Sequence, residues 1–379
     1  MDLNLALFCR KYLPYEIYKT LEVANTYLQY SYQNLKGKIF TNLYLHKNNK
    51  KLYPSLIILG PTTKCNLDCV ICDRTNTNHS ELKLENLLKI KNVLECACDI
   101  NLTGYGESLL NKNLKQIIEY IFSINKRNNL ISMVTNGTLL TKEFGTLLNG
   151  RINSITISLN AATEDTYRKD MKNAKLGKVL SNIKEFMSAL DEDSRSRILL
   201  SFVAHSRNYQ EIPDFLDLAH ELGISKVRIG HFAIFRENDI HLSLLNVKSD
   251  YNKYIDLAIK KAIKHNIIFY ESKFNSIVNH SYNKILCFFP YSQLILNPDG
   301  TIDGPCCCGE FCYGNVFEED FENIWFGNEY KKIRKKKHLP TCNPCRDFAS
   351  FDSLEAHFCH DFLMKNRNII EEQISLHAG

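Results

Sequence analysis

The sequence predicts an α/β fold, a partial (β/α)6 barrel followed by a smaller cysteine-rich unit, and three observations carry that reading. Apolar strand-like runs alternate with leucine-periodic stretches six times between Leu52 and about Tyr270. Short polar motifs stand directly after these runs, where parallel α/β folds place their chemistry. The 14 cysteines are bunched, three within Cys65–Cys72 and eight between Cys287 and Cys359.

Residues 1–52 read as an amphipathic helical extension rich in Tyr and Leu, ending in the polar run His46–Lys51. The barrel is expected over 53–275. Its strand candidates are Ser55–Leu59, Asp99–Leu102, Leu130–Val134, Ser154–Leu159, Arg197–Val203 and Lys226–Ile229. Between them Leu82–Leu94, Leu114–Ile124, Lys142–Leu148, Leu176–Leu190 and Ile212–Leu222 repeat Leu or Ile at helical spacing. Such βα repeats require a parallel sheet with right-handed crossovers, and six rather than eight leave the barrel open. A further helix is expected over Tyr251–His265 and a strand over Ile267–Tyr270. In 276–379, the strand-like Gln293–Asn297 and the Pro298-Asp299-Gly300 turn predict a small β-hairpin, followed by a helical stretch around Ile324-Trp325.

Composition narrows the function classes. The chain has 379 residues, 44% hydrophobic and 23% charged, which suits one barrel domain plus an extension. No apolar run approaches the roughly 20 residues that span a bilayer. The start has Asp2 where a signal peptide carries basic residues, so a cytoplasmic protein with reduced thiols is expected. The net charge of +5 owes much to Lys331–His338, read as a solvated helix face, and no nucleic-acid motif accompanies it.

The first cysteine group carries the most chemistry. Cys65, Cys69 and Cys72 form a C-x3-C-x2-C triplet after the first strand. Three thiolates can hold three irons of a [4Fe-4S] cluster and leave the fourth without a protein ligand, whereas electron-transfer clusters normally take four cysteines. An open coordination position marks a catalytic metal site. Positions i, i+4 and i+7 also share a helical face, which would suit buried structural thiols, but Pro61, Asn66 and Asp68 favour a loop. Zinc would ordinarily want a fourth ligand nearby.

The triplet resembles the signature of the radical S-adenosylmethionine (radical SAM) superfamily. The resemblance implies that the open iron chelates S-adenosylmethionine and that its cleavage yields a 5'-deoxyadenosyl radical able to abstract hydrogen. Gly104-Tyr105-Gly106-Glu107 resembles the family's Gly-Gly-Glu motif, with Tyr105 in place of the first glycine. That places Gly106 and Glu107 on the cofactor's amino group. Asn136 lies in Thr135-Asn136-Gly137 after the third strand. Ser158 and Asn160 look like the polar pair that contacts ribose and carboxylate, and Gly230 stands where the backbone approaches adenine. The resemblance covers about residues 53–235.

The second cysteine group resembles the SPASM/twitch extension of the same superfamily, which carries an auxiliary [4Fe-4S] cluster. On that resemblance the ligands are Cys287, Cys306, Cys342 and Cys345, with Cys307 as the alternative to Cys306. Only Cys359 follows the Cys342-Asn343-Pro344-Cys345 pair, so the shorter, single-cluster version is favoured over two auxiliary clusters. Cys308, Cys312 and Cys359 stay unassigned, and a zinc site on the same four thiols is the structural alternative.

The expectation is thus a radical SAM enzyme that oxidises a small polar metabolite, an aminocyclitol-like or sugar alcohol, with the auxiliary cluster as electron acceptor. A peptide substrate is the alternative within the same chemistry, and a non-catalytic, metal-stapled binding protein the alternative outside it. The implied partners are the substrate and a reductase, flavodoxin or ferredoxin as electron donor, with neither nucleic acid nor membrane. No general base is identifiable, although His205, Arg228, His231 and Arg236 lie at or near late strand ends.

Overall fold

The computed structural model describes residues 53–73, 79–124, 130–274, 289–304, 312–336 and 353–376. The helical extension expected over 1–52 lies outside them, as do Cys287, Cys306, Cys307, Cys308, Cys342 and Cys345. Among the described residues no helix is long and apolar enough to cross a membrane.

Among the described residues nine strands form one sheet: β1 (Leu56–Leu59), β2 (Asp99–Asn101), β3 (Leu130–Thr135), β4 (Ile152–Ser158), β5 (Ile198–Ala204), β6 (Lys226–His231), β7 (Ile268–Tyr270), β8 (Gln293–Leu296) and β9 (Ile302–Asp303). Their order across the sheet is β9-β8-β1-β2-β3-β4-β5-β6-β7. Every neighbouring pair is parallel except the β8–β9 hairpin. The sheet curves as an unclosed barrel, and all six expected strands are present within two residues of their expected bounds. Two edges extend further than the βα repeats alone indicate. β7 continues the order past β6, and β8 pairs with β1 from Leu56↔Gln293 to Leu59↔Leu296. The C-terminal hairpin is therefore an added edge of the barrel sheet.

Among the described residues the α-helices of five residues or more are α1 (Leu84–Leu88), α2 (Lys91–Cys96), α3 (Leu114–Ser123), α4 (Lys142–Leu148), α5 (Glu164–Asp170), α6 (Leu176–Ser188), α7 (Ile212–Glu221), α8 (Lys248–Lys264), α9 (Phe321–Trp325), α10 (Asn328–Lys336) and α11 (His360–Leu376). α3, α6 and α7 bury stripes such as Ile117, Ile118 and Ile121 or Val179, Ile183 and Phe186. That three- and four-residue spacing is why these segments are helical. The helix expected over Leu82–Leu94 is split into α1 and α2 at Lys89, whose Nζ donates to Phe317 O at 2.8 Å. That is a tertiary contact with no local sequence signal. The basic run is solvated only in part. Lys331 and Lys332 are exposed, but Arg334 is 4% exposed, stacks 4.4 Å over Trp325 and donates to Trp325 O and Pro290 O.

The two sheet faces differ in chemistry. Ile155, Ile157, Ile198, Leu200, Phe202 and Val227 are fully buried on one face, and Ile157 lies near Val179 and Ile183 of α6 at Gly137. The alternate residues line the inner face. Ser158, Ser201, Arg228 and Tyr270 are successive register partners across β4 to β7. Arg228 and Tyr270 are exposed. Parallel sheets usually bury both faces under apolar cover, so a polar, half-open inner face is a departure that leaves room for a ligand.

Candidate functional site

The cysteine loop crosses the C-terminal ends of the strands. Asp68 and Cys69 pair antiparallel with Lys172 and Met171, and Cys72 N donates to Cys69 O at 3.2 Å. Cys65 and Cys69 are half-buried and Cys72 is exposed. The loop's first turn is tied to the end of β3. Asn66 Nδ2 donates to Thr138 Oγ1 at 2.8 Å, and Asn136 Nδ2 donates to Asn66 Oδ1 at 3.0 Å. The same Asn136 amide lies 3.9 Å from Cys65 Sγ. Arg236 holds the far side, donating to Val70 O at 2.8 Å while pairing with Asp239.

Gly106 packs where no side chain fits. A Cβ there would lie 2.1 Å from Lys64 O and 2.7 Å from Thr62 O. Glu107 N donates to Lys64 O at 2.8 Å, so the second strand's turn is sewn to the segment just before Cys65. The Glu107 carboxylate is 3% exposed. Its Oε2 accepts from Asn136 N at 2.7 Å, and its Oε1 accepts from Thr135 Oγ1 at 2.9 Å and Leu109 N at 3.2 Å. Burial raises its pKa, and these hydrogen bonds oppose the rise. Asn160 is 3% exposed with φ +55, a left-handed conformation that Asn tolerates better than most residues. Its Oδ1 accepts from Val203 N at 2.9 Å, and its Nδ2 lies 3.3 Å from Met171 Sδ. Ser158 is half-buried on the inner face. Gly230 lies on the same face, where an added Cβ would meet nothing within 4 Å.

The structure thus brings Cys65, Cys69, Cys72, Gly106, Glu107, Asn136 and Asn160 into one region of strand ends and turns. Of the other candidates, Arg228 faces the inner surface. His231 is packed away from it, against Ser272 O at 2.8 Å and His357 at 3.4 Å. Cys312 is exposed, and Cys359 N donates to Ile234 O at 2.8 Å beyond β6. Asn66, Thr138 and Met171 escaped sequence reasoning. Asn66 lies inside the triplet and Thr138 directly after the Asn136 motif, which was the available signal. Met171 sits in a two-residue strand, too short to show periodicity.

Do these residues fit a four-iron cluster with S-adenosylmethionine? The donors are three thiols on one loop. Among the described residues no three Cys, His, Asp or Glu side chains converge tightly enough for a single metal ion. A four-iron cube separates its thiolates more widely than one ion does. Beside the loop, the Tyr167 hydroxyl is fully buried with no hydrogen-bond partner, and the charge of Cys69 reaches it, adding to the burial that raises its pKa. Buried polar groups rarely go unpaired without a reason. The open space at Gly230 and the side-chain-free approach at Gly106 leave room next to the loop. The residues fit the group.

Comparison with known proteins agrees. Residues 59–219 match the radical SAM superfamily, and residues 287–347 match an iron-sulfur cluster-binding domain, SPASM. A probable GTP 3',8-cyclase of Methanocaldococcus jannaschii is 29% identical over 167 residues, 43% of this chain. The chain spans about half, 54%, of that curated relative. Streptococcus suis SuiB bound to S-adenosylmethionine superposes with a TM-score of 0.59 at 16% identity, covering 85% of this chain and 76% of its own. The anSMEcpe enzyme with bound AdoMet gives a TM-score of 0.59 at 15% identity, covering 86% and 98%. At such identities the likeness is one of fold. Together the two matched domains bring a [4Fe-4S] cluster with S-adenosylmethionine and an auxiliary iron-sulfur cluster. The chain carries a radical SAM domain over residues 59–219 and a SPASM iron-sulfur cluster-binding domain over residues 287–347.

Proposed function

We propose that this radical SAM enzyme works through Cys65, Cys69 and Cys72 and takes hydrogen from a polar substrate lying along the inner face of the sheet. The observation that carries the substrate class is the row Ser158, Ser201, Arg228 and Tyr270, polar where a parallel sheet is ordinarily apolar. A four-iron cluster on the three thiolates supplies, when bound, the electron that cleaves the sulfonium. Asn136 and Asn66 orient the loop that bears Cys65. Gly106 allows close backbone approach to the cofactor, Ser158 and Asn160 serve its polar groups, and Gly230 leaves room for its adenine. Residues 53–275 form the catalytic barrel, to whose sheet the auxiliary unit, 276–379, adds the edge strands β8 and β9.

We infer a net two-electron oxidation of a small polar metabolite such as a sugar-like alcohol. Hydrogen abstraction removes one electron, so the reaction needs an acceptor near the substrate, and Cys287, Cys306, Cys342 and Cys345 are the thiols for it. A reductase, flavodoxin or ferredoxin would deliver the initiating electron. A peptide substrate is the second reading. It is favoured by the shared fold with SuiB bound to the precursor peptide SuiA and anSMEcpe bound to the Cp18Cys peptide, over 82% and 85% of this chain.

The test is anaerobic. The small-molecule and peptide fractions of a host extract are offered separately with dithionite and S-adenosylmethionine, and 5'-deoxyadenosine is measured above the uncoupled background. Stimulation by the small-molecule fraction supports the first reading, and stimulation by peptides alone replaces it with the second. Cys342→Ala with Cys345→Ala should keep 5'-deoxyadenosine release but stop oxidised product. Normal product from that folded variant would make the reaction redox-neutral.

A further inference from the structure

A polar network with no part in the assignments above lies under the ribbon that carries Cys69. Asp170 ends α5 and is 3% exposed, and His205, just past β5, is fully buried. Their side chains meet at 2.9 Å, His205 Nε2 to Asp170 Oδ2. Arg207 N donates to His205 Nδ1 at 3.3 Å, so the ring proton sits on Nε2 and is directed at the carboxylate. Asn208 completes the set. Its Oδ1 accepts from His205 N at 2.8 Å, and its Nδ2 reaches Asn160 O at 3.2 Å and Val203 O at 3.1 Å.

The network joins two parts of the proposed site. On one side Asp170 O accepts from Val70 N at 3.0 Å, and the next residue, Met171, pairs with Cys69. On the other side Asn208 pins Asn160 in its left-handed conformation. Met171 closes the ring, its Sδ lying 3.5 Å from Cys69 Sγ and 3.3 Å from Asn160 Nδ2. A buried carboxylate is costly unless hydrogen-bonded, so Asp170 has strong reason to stay where His205 offers its proton. The imidazole thereby sets the distance between the middle cysteine and the turn after β4.

We propose that His205 is a positioning residue for the cofactor site. Through Asp170, Met171 and Asn208 it holds Cys69 and Asn160 in the relative placement that S-adenosylmethionine requires. The inference rests on the assignment of the Cys65–Cys72 loop as the cluster site.

The test compares reconstituted wild type, His205→Leu and His205→Gln in iron content, S-adenosylmethionine Kd and the electron paramagnetic resonance spectrum of the reduced cluster with and without S-adenosylmethionine. Leu keeps the bulk but offers no proton, whereas the Gln amide can donate to Asp170. His205→Leu should bind S-adenosylmethionine about tenfold more weakly, because Cys69 and Asn160 are no longer held in their relative placement. It should also blunt the ligand-induced spectral change, and His205→Gln should restore both. A His205→Leu protein that melts earlier yet keeps wild-type Kd and spectra would overturn the proposal. If His205→Leu does not fold, Met171→Leu takes its place, since it keeps apolar volume but removes the sulfur between Cys69 and Asn160. Weaker binding with an altered spectrum supports the proposal, and unchanged values overturn it. A wild type with no spectral response to S-adenosylmethionine would instead refute the site assignment itself.

Discussion

Glu107 is the residue at which motif and structure make different demands, and replacing it separates them. The motif resemblance puts its carboxylate on the cofactor. The structure gives both oxygens protein partners, the backbone N–H groups of Asn136 and Leu109 and the Thr135 hydroxyl. In Glu107→Gln one carboxamide oxygen must serve two backbone donors on opposite sides. The Thr135 hydroxyl can rotate to accept from the new NH2, but Asn136 N–H or Leu109 N–H loses its acceptor. One orphaned buried donor costs about 1–3 kcal/mol. Glu107→Ala orphans all three donors and should cost about 3–5 kcal/mol, the range for breaking a buried charged network. The pH dependence adds a second reading. Burial raises the folded-state pKa of Glu107, so the native protein holds this proton to higher pH than the unfolded chain does. Its contribution to stability is therefore greatest below the ordinary carboxylate range and falls as pH rises towards the raised value. Glu107→Gln should flatten that fall. Anaerobic urea titrations of wild type and both variants across mildly acidic to neutral pH measure this directly. A Glu107→Ala protein with wild-type stability and a wild-type pH response, but weakened S-adenosylmethionine binding, would refute the argument and return the carboxylate to the cofactor.

Other outcomes follow from the same site. Reconstituted protein should contain about eight irons per chain from two four-iron clusters, and Cys65, Cys69 and Cys72 changed together to Ala should lose about half by iron assay; zinc with about four irons would indicate a structural C-terminal site. Cys69→Ala should abolish 5'-deoxyadenosine release under dithionite, read by chromatography, and normal release would remove the triplet from the chemistry. Gly106→Ala drives a methyl group to 2.1 Å from Lys64 O, so it should displace the turn before Cys65 and lower both iron retention and thermal stability. Wild-type values would mean that the close approach has no function.

The strands, most of the helices and the cysteine triplet were legible in sequence because they depend on local pattern. Leu56–Leu59 and Ile198–Ala204 are strands for their β-branched and leucine content, and α6 is a helix for its Val179-Ile183-Phe186 stripe. The spacing Cys65-x3-Cys69-x2-Cys72 is readable because a loop that short keeps its thiols together whatever surrounds it. Sheet edges were not legible. Nothing in Gln293–Leu296 names Leu56–Leu59 as its partner, since a strand's hydrogen bonds carry no address and the pairing spans more than 230 residues. The burial of Arg334 likewise depends on distant contacts, with Trp325 and Pro290. The direction of each polar group was the last thing that only tertiary structure could decide. Glu107, Asn160 and His205 each sit on a turn after a strand, where sequence marks them as site candidates. Whether a side chain at such a turn meets a ligand or its own protein depends on which other turns arrive beside it. Here Asn136, Met171 and Asp170 arrive, bringing donors and acceptors that the local sequence does not contain.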